Sequence, residues 1–246
     1  MDLKEAQAGH QKRHPWETSR LDALRDILSG HLAEGVRVLD VGCGDGFVAE
    51  TLFKDNAVRS ITAVDCNLSE EQLGAFAARK TGISFRKELP DEGNFDLVLL
   101  LDVLEHIEKD GAFLKDVVNR HLASKGLVLI TVPAFQALFS GHDAFLGHYR
   151  RYSLSQLLRL VEGAGLKVRR SGYLFSSLLL PMLVLFKLFG SAASSEGVGR
   201  WGRGALLTSL IHQALKLDNK MLLAAGRFGI KIPGLTGWVL CEKQGS

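Results

Sequence analysis

At 246 residues, 46% apolar and 23% charged, the chain has an ordinary globular composition, long enough for one large α/β domain with an elaboration and too short for two full domains. A formal net charge of +3 does not point to nucleic acid, and the short basic clusters near 148–151, 167–170 and 200–203 read as solvated surface. Three cysteines, Cys43, Cys66 and Cys241, lack metal-ligand spacing and read as reduced thiols of a cytosolic protein, while the polar start has no signal-peptide core and its first dozen residues are expected to be mobile.

In chain order, Ser19 and Asp22 read as a capping box, and Leu21, Leu24, Ile27, Leu28 and Leu32 then fall on one helical face, which predicts a covering helix. An apolar strand from Val36 to Val41 runs straight into Gly42, Gly44 and Gly46; a helix from about Phe47 to Lys54 and a strand from Ser60 to Val64 complete a βαβ unit. The glycines let the chain turn sharply and approach a ligand that a Cβ would push away, with the amide hydrogens of the next helix aimed at it. A dinucleotide fingerprint needs a further glycine where Phe47 stands, which argues against a nicotinamide oxidoreductase. Asp40, ahead of the turn, suits a ligand carrying an ammonium. Asp65 follows the turn by roughly 20 residues, the distance at which an acid meets a ribose hydroxyl pair.

Ser69 with Gln72 caps a helix that stops at Gly82, and a short strand spans Ile83 to Arg86. Phe95 to Leu101 is the continuous apolar run of a strand buried on both faces. Asp110 to Leu122 reads as helix, Gly126 to Val132 as another buried strand, and Ser153 with Gln156 opens a helix that ends at Gly163 and Gly165. This alternation predicts a doubly wound, seven-stranded, mostly parallel sheet with ligands at the carboxyl ends of its strands. After a strand near Lys167 to Tyr173, the segment Leu174 to Phe186 is almost wholly apolar around Pro181, and a Gly/Ser stretch runs from Gly190 to Gly204. A second helix then carries Leu207, Leu210, Ile211, Ala214, Leu217 and Met221 on one stripe and His212, Gln213, Lys216 and Lys220 on the other. A last strand, Gly237 to Glu242, closes the sheet. The core is therefore expected over 1–173 and 235–246, with 174–234 as a helical insertion. Its apolar run is shorter than the roughly 20 residues that span a bilayer. A core-packed helix pair, an apolar cap over a substrate pocket and a membrane-surface patch with Lys187, Arg200 and Arg203 at the headgroups all fit it.

The glycine turn with Asp40, then Asp65, then the strand from Asn94 to Leu100, then the block from Asp102 to Ile107, resemble in order the signatures of class I S-adenosylmethionine (SAM) methyltransferases. The resemblance covers most of residues 14–173 and implies a Rossmann-like fold with SAM as cofactor and S-adenosylhomocysteine as product. It implies that Asp40, Gly42, Gly44 and Gly46 hold the methionine end and Asp65 the ribose, with Cys43, Phe47 and Cys66 in turns at the cofactor's edge. Glu88, in the loop from Lys87 to Leu89, is the nearest acid for the adenine. Leu101, Asp102, Val103 and Leu104 would line the cofactor beside the methyl group, and His106 follows as a catalytic candidate or as a helix-terminal hydrogen bond.

A narrower resemblance, to a bacterial type 11/12-like methyltransferase subgroup, is carried by the segment Arg13 to Arg20 (His-Pro-Trp-Glu-x-x-Arg), by Thr131 to Phe135, and by the His-Asp-x-x-x-Gly-His-Tyr-Arg-Arg-Tyr block. In that block His142, Asp143, His148, Tyr149, Arg150, Arg151 and Tyr152 lie where such a sheet places its substrate pocket. Methyl transfer needs an aligned nucleophile and a destination for its proton, which a histidine can provide, while arginines can clamp a carboxylate or phosphate. The plainer reading is an ordered loop whose arginines sit on neighbouring acids. No glutamate or cysteine completes a ligand set with His142, Asp143 and His148, so no metal is expected. Without a basic stripe interleaved with aromatics, nucleic acid is not an expected partner. The expected activity is transfer of the sulfonium methyl to an O, N or C nucleophile of a small, apolar or lipid-like acceptor. The protein would be cytoplasmic, with peripheral membrane contact through 174–204 if that patch faces lipid. A non-catalytic SAM-binding partner of another enzyme is the alternative, and the oligomeric state is not legible.

Overall fold

A computed structural model of the chain describes residues 13–54, 58–79, 81–189 and 201–244. Arg200, the first dozen residues and most of the Gly190–Gly204 stretch lie outside the described residues, as does the side chain of Lys187. Seven strands, β1 (Val36–Val41), β2 (Val58–Val64), β3 (Ile83–Arg86), β4 (Phe95–Leu101), β5 (Leu122–Pro133), β6 (Leu166–Leu174) and β7 (Thr236–Lys243), form one sheet in the order β3-β2-β1-β4-β5-β7-β6. β7 runs antiparallel to both β5 and β6, and the remaining neighbours are parallel. The direction of the sheet's winding reverses between β1 and β4, which is where such sheets open a crevice.

Helices cover both faces: α1 (Pro15–Leu28), α2 (Phe47–Leu52), α3 (Glu70–Ala78), α4 (Asp110–His121), α5 (Gly141–Leu146), α6 (Leu154–Gly163), α7 (Ser176–Phe189) and α8 (Ala205–Arg227). The period of two along each strand sorts the core. Leu97 and Leu99 of β4 pack with Leu24 and Ile27 of α1, Leu52 of α2 and Leu215 of α8, whereas Val98 and Leu100 pack with Leu114 and Val117 of α4 and Leu157 and Val161 of α6. Each such side chain contributes about 1.5–3 kcal/mol on burial.

Three local readings are corrected. Helix α1 begins four residues before Ser19, because Pro15 fits the first helical position and His14 is its cap: His14 Nδ1 accepts from the Trp16 amide, and Glu17 accepts from the His14 amide. Ser19 is instead inside the helix, buried, donating to the Trp16 carbonyl. His142 and Asp143 sit on α5, a one-turn-and-a-half helix opened by a Ser140 and Asp143 capping box. On α8 the apolar stripe divides: Leu207, Leu210, Leu217 and Met221 are exposed and Ile211 packs against the core, while Leu215, Asn219, Leu222 and Leu223 are buried. Part of the polar side docks too, since His212 Nε2 and Lys216 Nζ both lie 3.0 Å from Asp22 Oδ2 on α1. Asn219 Oδ1 accepts from the Phe175 amide at 2.9 Å. Among the described residues no helix is long and apolar enough to cross a membrane.

Candidate active site at the carboxyl edge of the sheet

The turn after β1 is built by glycines in the left-handed region, with φ of +72° at Gly42, +55° at Gly44 and +78° at Gly46. The space left by the missing Cβ atoms is used by the protein itself. A Cβ on Gly42 would come within 2.6 Å of a Val103 methyl, and one on Gly46 within 2.8 Å of the Phe85 ring. Gly42 and Cys43 both donate to the Val64 carbonyl. Gly44 N–H donates to Asp65 Oδ2 at 3.0 Å, and the Asn67 amide donates to Asp65 Oδ1 at 2.9 Å, so Asp65 clasps two turns together. Asp45 Oδ1 accepts from the Phe47 amide at the start of α2, and Arg13 pairs with Asp45 while lying 4.2 Å over the Phe47 ring.

Asp40, near the end of β1, is buried, and its Oδ2 has no hydrogen-bond partner among the described residues. Burial pushes its carboxyl up to about 7, with the charge of Asp65 adding to the rise. Burial likewise pushes the Cys43 thiol up, whereas Cys66 and Glu88 are exposed. A buried acid with an unsatisfied oxygen below a glycine turn fits a cationic ligand group, which would supply the missing partner.

Leu101 ends β4, and Asp102 follows in the left-handed region at φ +58°, a conformation that costs free energy unless its surroundings hold it. They do. Arg20 Nη1 lies 2.7 Å from Asp102 Oδ2, Arg20 Nη2 donates to Thr131 Oγ1 at 2.6 Å, and Thr131 Oγ1 donates to Asp102 Oδ1 at 3.0 Å. The guanidinium fork thus joins α1, β4 and β5. Leu104 and Glu105 are fully buried in the short turn that follows. Burial pushes the Glu105 carboxyl well above the usual range, and the neighbouring Asp102 adds to it.

Asp143 is the hub of the 142–152 block. It is fully buried and accepts from Ser140 N at 2.8 Å, Ser140 Oγ at 3.0 Å, Arg151 Nε at 2.8 Å and Arg151 Nη2 at 3.0 Å, and its Oδ1 lies 2.9 Å from His148 Nδ1. Burial works to raise this carboxyl, but the bonds from His148 and Arg151 override it and hold Asp143 well below the carboxylate range. Arg150 pairs with Asp110 at 2.9 Å and donates to the Glu108 carbonyl. The Tyr152 hydroxyl lies 2.8 Å from Asp110 Oδ2 and 3.1 Å from the Leu104 carbonyl; burial and the Asp110 charge push it up. Tyr152 also bridges Ala134 in parallel register beside β5, and Tyr149 is exposed. The His148 and His106 rings meet edge to face at 4.5 Å, which brings the block against the turn after β4.

The structure therefore brings His106, His148, Asp143 and Arg151 together and sets Asp40, Gly44 and Asp65 at the neighbouring strand ends. Glu88 is exposed on the loop after β3. Arg20, Thr131 and Glu105 are additional residues of the site. Each was visible within a singled-out motif, but only the fold aligns the ends of α1, β4 and β5.

A seven-stranded sheet of this order with a reversed β7, its glycine turn and acids gathered along one edge, is that of a Rossmann-like transferase. A family model described as a methyltransferase domain matches residues 10–171, and the chain belongs to that family of methyltransferases. Among curated proteins it is similar to the ubiquinone biosynthesis O-methyltransferase of Maricaulis maris, 31% identical over 116 residues that cover 42% of this chain and 46% of that protein. The chain spans about half the length of the curated relatives it matches. Among solved structures it is similar to a SAM-dependent methyltransferase from Mesorhizobium loti, with a TM-score of 0.56 at 15% identity over 91% of this chain and 100% of that one. It is also similar to the N-methyltransferase NodS from Bradyrhizobium japonicum in complex with S-adenosylhomocysteine, with a TM-score of 0.55 at 15% identity over 98% and 96% of the two chains. These structural likenesses establish the fold.

Proposed function

We propose that the protein transfers the methyl group of SAM to an oxygen, nitrogen or carbon nucleophile of a small, lipid-like acceptor. The observation that carries this reading is the buried, unsatisfied Asp40 Oδ2 at the foot of the glycine turn, a place for the ammonium of the cofactor. In this reading Asp40, Gly42, Gly44 and Gly46 hold the methionine end, Asp65 the ribose, and Leu101 to Leu104 border the methyl group. Cys43, Phe47, Cys66 and Glu88 line the rim.

When bound, SAM supplies a methyl group already activated on sulfur. What remains for the chain is to align the nucleophile and receive its proton. Arg20 and Thr131 fix Asp102, so the wall beside the acceptor does not shift. His106 and His148 offer imidazoles to take a proton, and the Asp143 hub holds His148 in place. The two narrower motifs act together here: Arg20 closes the pocket from α1 and the 142–152 block from the far side, consistent with the type 11/12-like subgroup.

A lipid-like acceptor is supported by the names of the curated relatives, ubiquinone biosynthesis O-methyltransferases. It is also supported by the outward apolar face of the insertion, where Leu180, Met182, Leu183 and Val184 of α7 are exposed with Leu207, Leu210, Leu217 and Met221 of α8. Helices α7 and α8 are accordingly a covering pair whose outer face touches the membrane surface. Incubating the protein with methyl-labelled SAM and, separately, lipid and polar cell fractions tests the proposal. Protein-dependent label in the lipid fraction is expected; label in the polar fraction alone overturns the lipid acceptor, and SAM binding without any labelled product means a non-catalytic binding protein.

A further inference from the structure

We infer that Glu105, His106 and His148 form a binding site for one divalent cation of the zinc class, between the turn after β4 and the loop after α5. One ligating atom from each of the three lies within 4.8 Å of the other two. Ligands that each sit about 2 Å from a common ion lie no more than about 4 Å apart, so the three groups close around an ion with a small side-chain adjustment. Two separate stretches supply them. Glu105 and His106 come from the turn Leu104–His106, and His148 follows Gly147, the left-handed cap of α5. The Tyr149 amide donates to the Glu105 carbonyl at 2.7 Å and pins the stretches to each other.

Three observations point to a cation rather than to chance proximity. Glu105 is fully buried, and neither carboxylate oxygen has a hydrogen-bond partner among the described residues. The arginines near it are committed elsewhere, Arg20 to Asp102 and Arg151 to Asp143, and neither makes a hydrogen bond to Glu105. Finally, Nδ1 of His148 is committed to Asp143, the carboxylate–histidine arrangement that orients an imidazole and leaves Nε2 as the ligating nitrogen.

Two imidazoles and one carboxylate are the donor set of a catalytic zinc site, in which the fourth position stays open for water or substrate. Magnesium and calcium prefer oxygen ligands and match this set less well. The sequence concealed the set because His148 invites grouping with its near neighbours His142 and Asp143. Its partners instead come from the turn after β4, and Asp143 acts behind His148. Ion binding stands without any assumption about the acceptor. Only its consequence rests on the methyl-transfer reading: with the ion bound, His106 and His148 serve as ligands in place of proton acceptors, and an acceptor hydroxyl at the open position loses its proton to solvent more readily.

The test is a titration of chelator-treated, tag-free protein with Co²⁺ in the absence of SAM, followed by the visible bands of low-coordinate cobalt and by calorimetry, with SAM affinity measured in parallel. One ion per chain is expected, displaced by an equivalent of Zn²⁺. Affinity should fall at least tenfold in Glu105→Gln, His106→Ala and His148→Ala, and about 10–100-fold in Asp143→Asn. Glu105→Gln alters a buried position, so the partly exposed His106→Ala and His148→Ala, checked by melting, keep the outcome decisive. Absence of cobalt bands in the native protein, or unchanged affinity in both folded histidine variants, overturns the site. SAM binding that persists in that case leaves the methyl-transfer reading standing.

Discussion

Arg20 on α1 and Asp102 at the end of β4 form an ion pair at 2.7 Å, with the Arg20 side chain 10% and that of Asp102 29% exposed. The pair holds Asp102, whose φ is positive in the turn after β4, and it does so from a helix that precedes the whole sheet in the chain. The covering helix is therefore part of the site's frame.

Removing that fork should be costly. In Arg20→Ala, Asp102 keeps only the Thr131 hydroxyl, and a largely buried pair loses one partner, for which about 3 kcal/mol of lost stability is expected in chemical denaturation. Arg20→Lys keeps the charge without the two-pronged geometry and should recover only part of it. A loss within about 1 kcal/mol, as for a solvent-exposed pair, would show that the fork does not hold Asp102.

If Asp40 holds the ammonium as proposed, SAM affinity depends on pH. Its carboxyl titrates near 7 in the folded protein, so at lower pH it is protonated and neutral toward an ammonium. SAM affinity should therefore climb about tenfold per pH unit on approaching 7 from below and level off above it, and Asp40→Asn should abolish the slope. The same raised acid favours folding while protonated. Its contribution is present at low pH and is lost as pH rises from the ordinary carboxylate range through about 7. A flat calorimetric profile between about pH 6 and 8, roughly one unit either side of that value, would remove the ammonium from Asp40.

Asp65 clasps two turns and is proposed to hold the ribose, and one variant can separate the two roles. Asp65→Ala strands the Gly44 and Asn67 amides, which should lower stability by about 1–2 kcal/mol. SAM affinity should drop more than tenfold in the still-folded variant. If calorimetry finds SAM binding intact while the melting point falls, the ribose role is gone and the turn clasp remains.

The sheet was legible because its central strands are buried on both faces: Leu97 to Leu101 is apolar without interruption, and such a run admits little else. The glycine turn and its flanking acids were legible because left-handed backbone leaves a compositional trace. The start of α1 was misread because a histidine cap followed by proline carries a weaker signal than the Ser-x-x-Asp that follows it. The covered face of α8 was not legible for a different reason. Its two stripes left open which one faces the core, and Asp22 recruits His212 and Lys216, so that most of the apolar stripe faces outward. Periodicity reports that a helix has two sides, and only a partner decides which one is covered. The union of Arg20 with Asp102, and of Glu105 with His148, was beyond any local pattern because each joins residues from separate elements.

The position of β7 bears on how the molecule is made. It lies between β5 and β6 although residues 236–243 are read after both. While a ribosome is still delivering the two insertion helices, β6 has no neighbour in the sheet and the outer edge of β5 stays bare. The nascent chain must carry that open border until its closing strand arrives, and a chaperone has the most to protect during that interval.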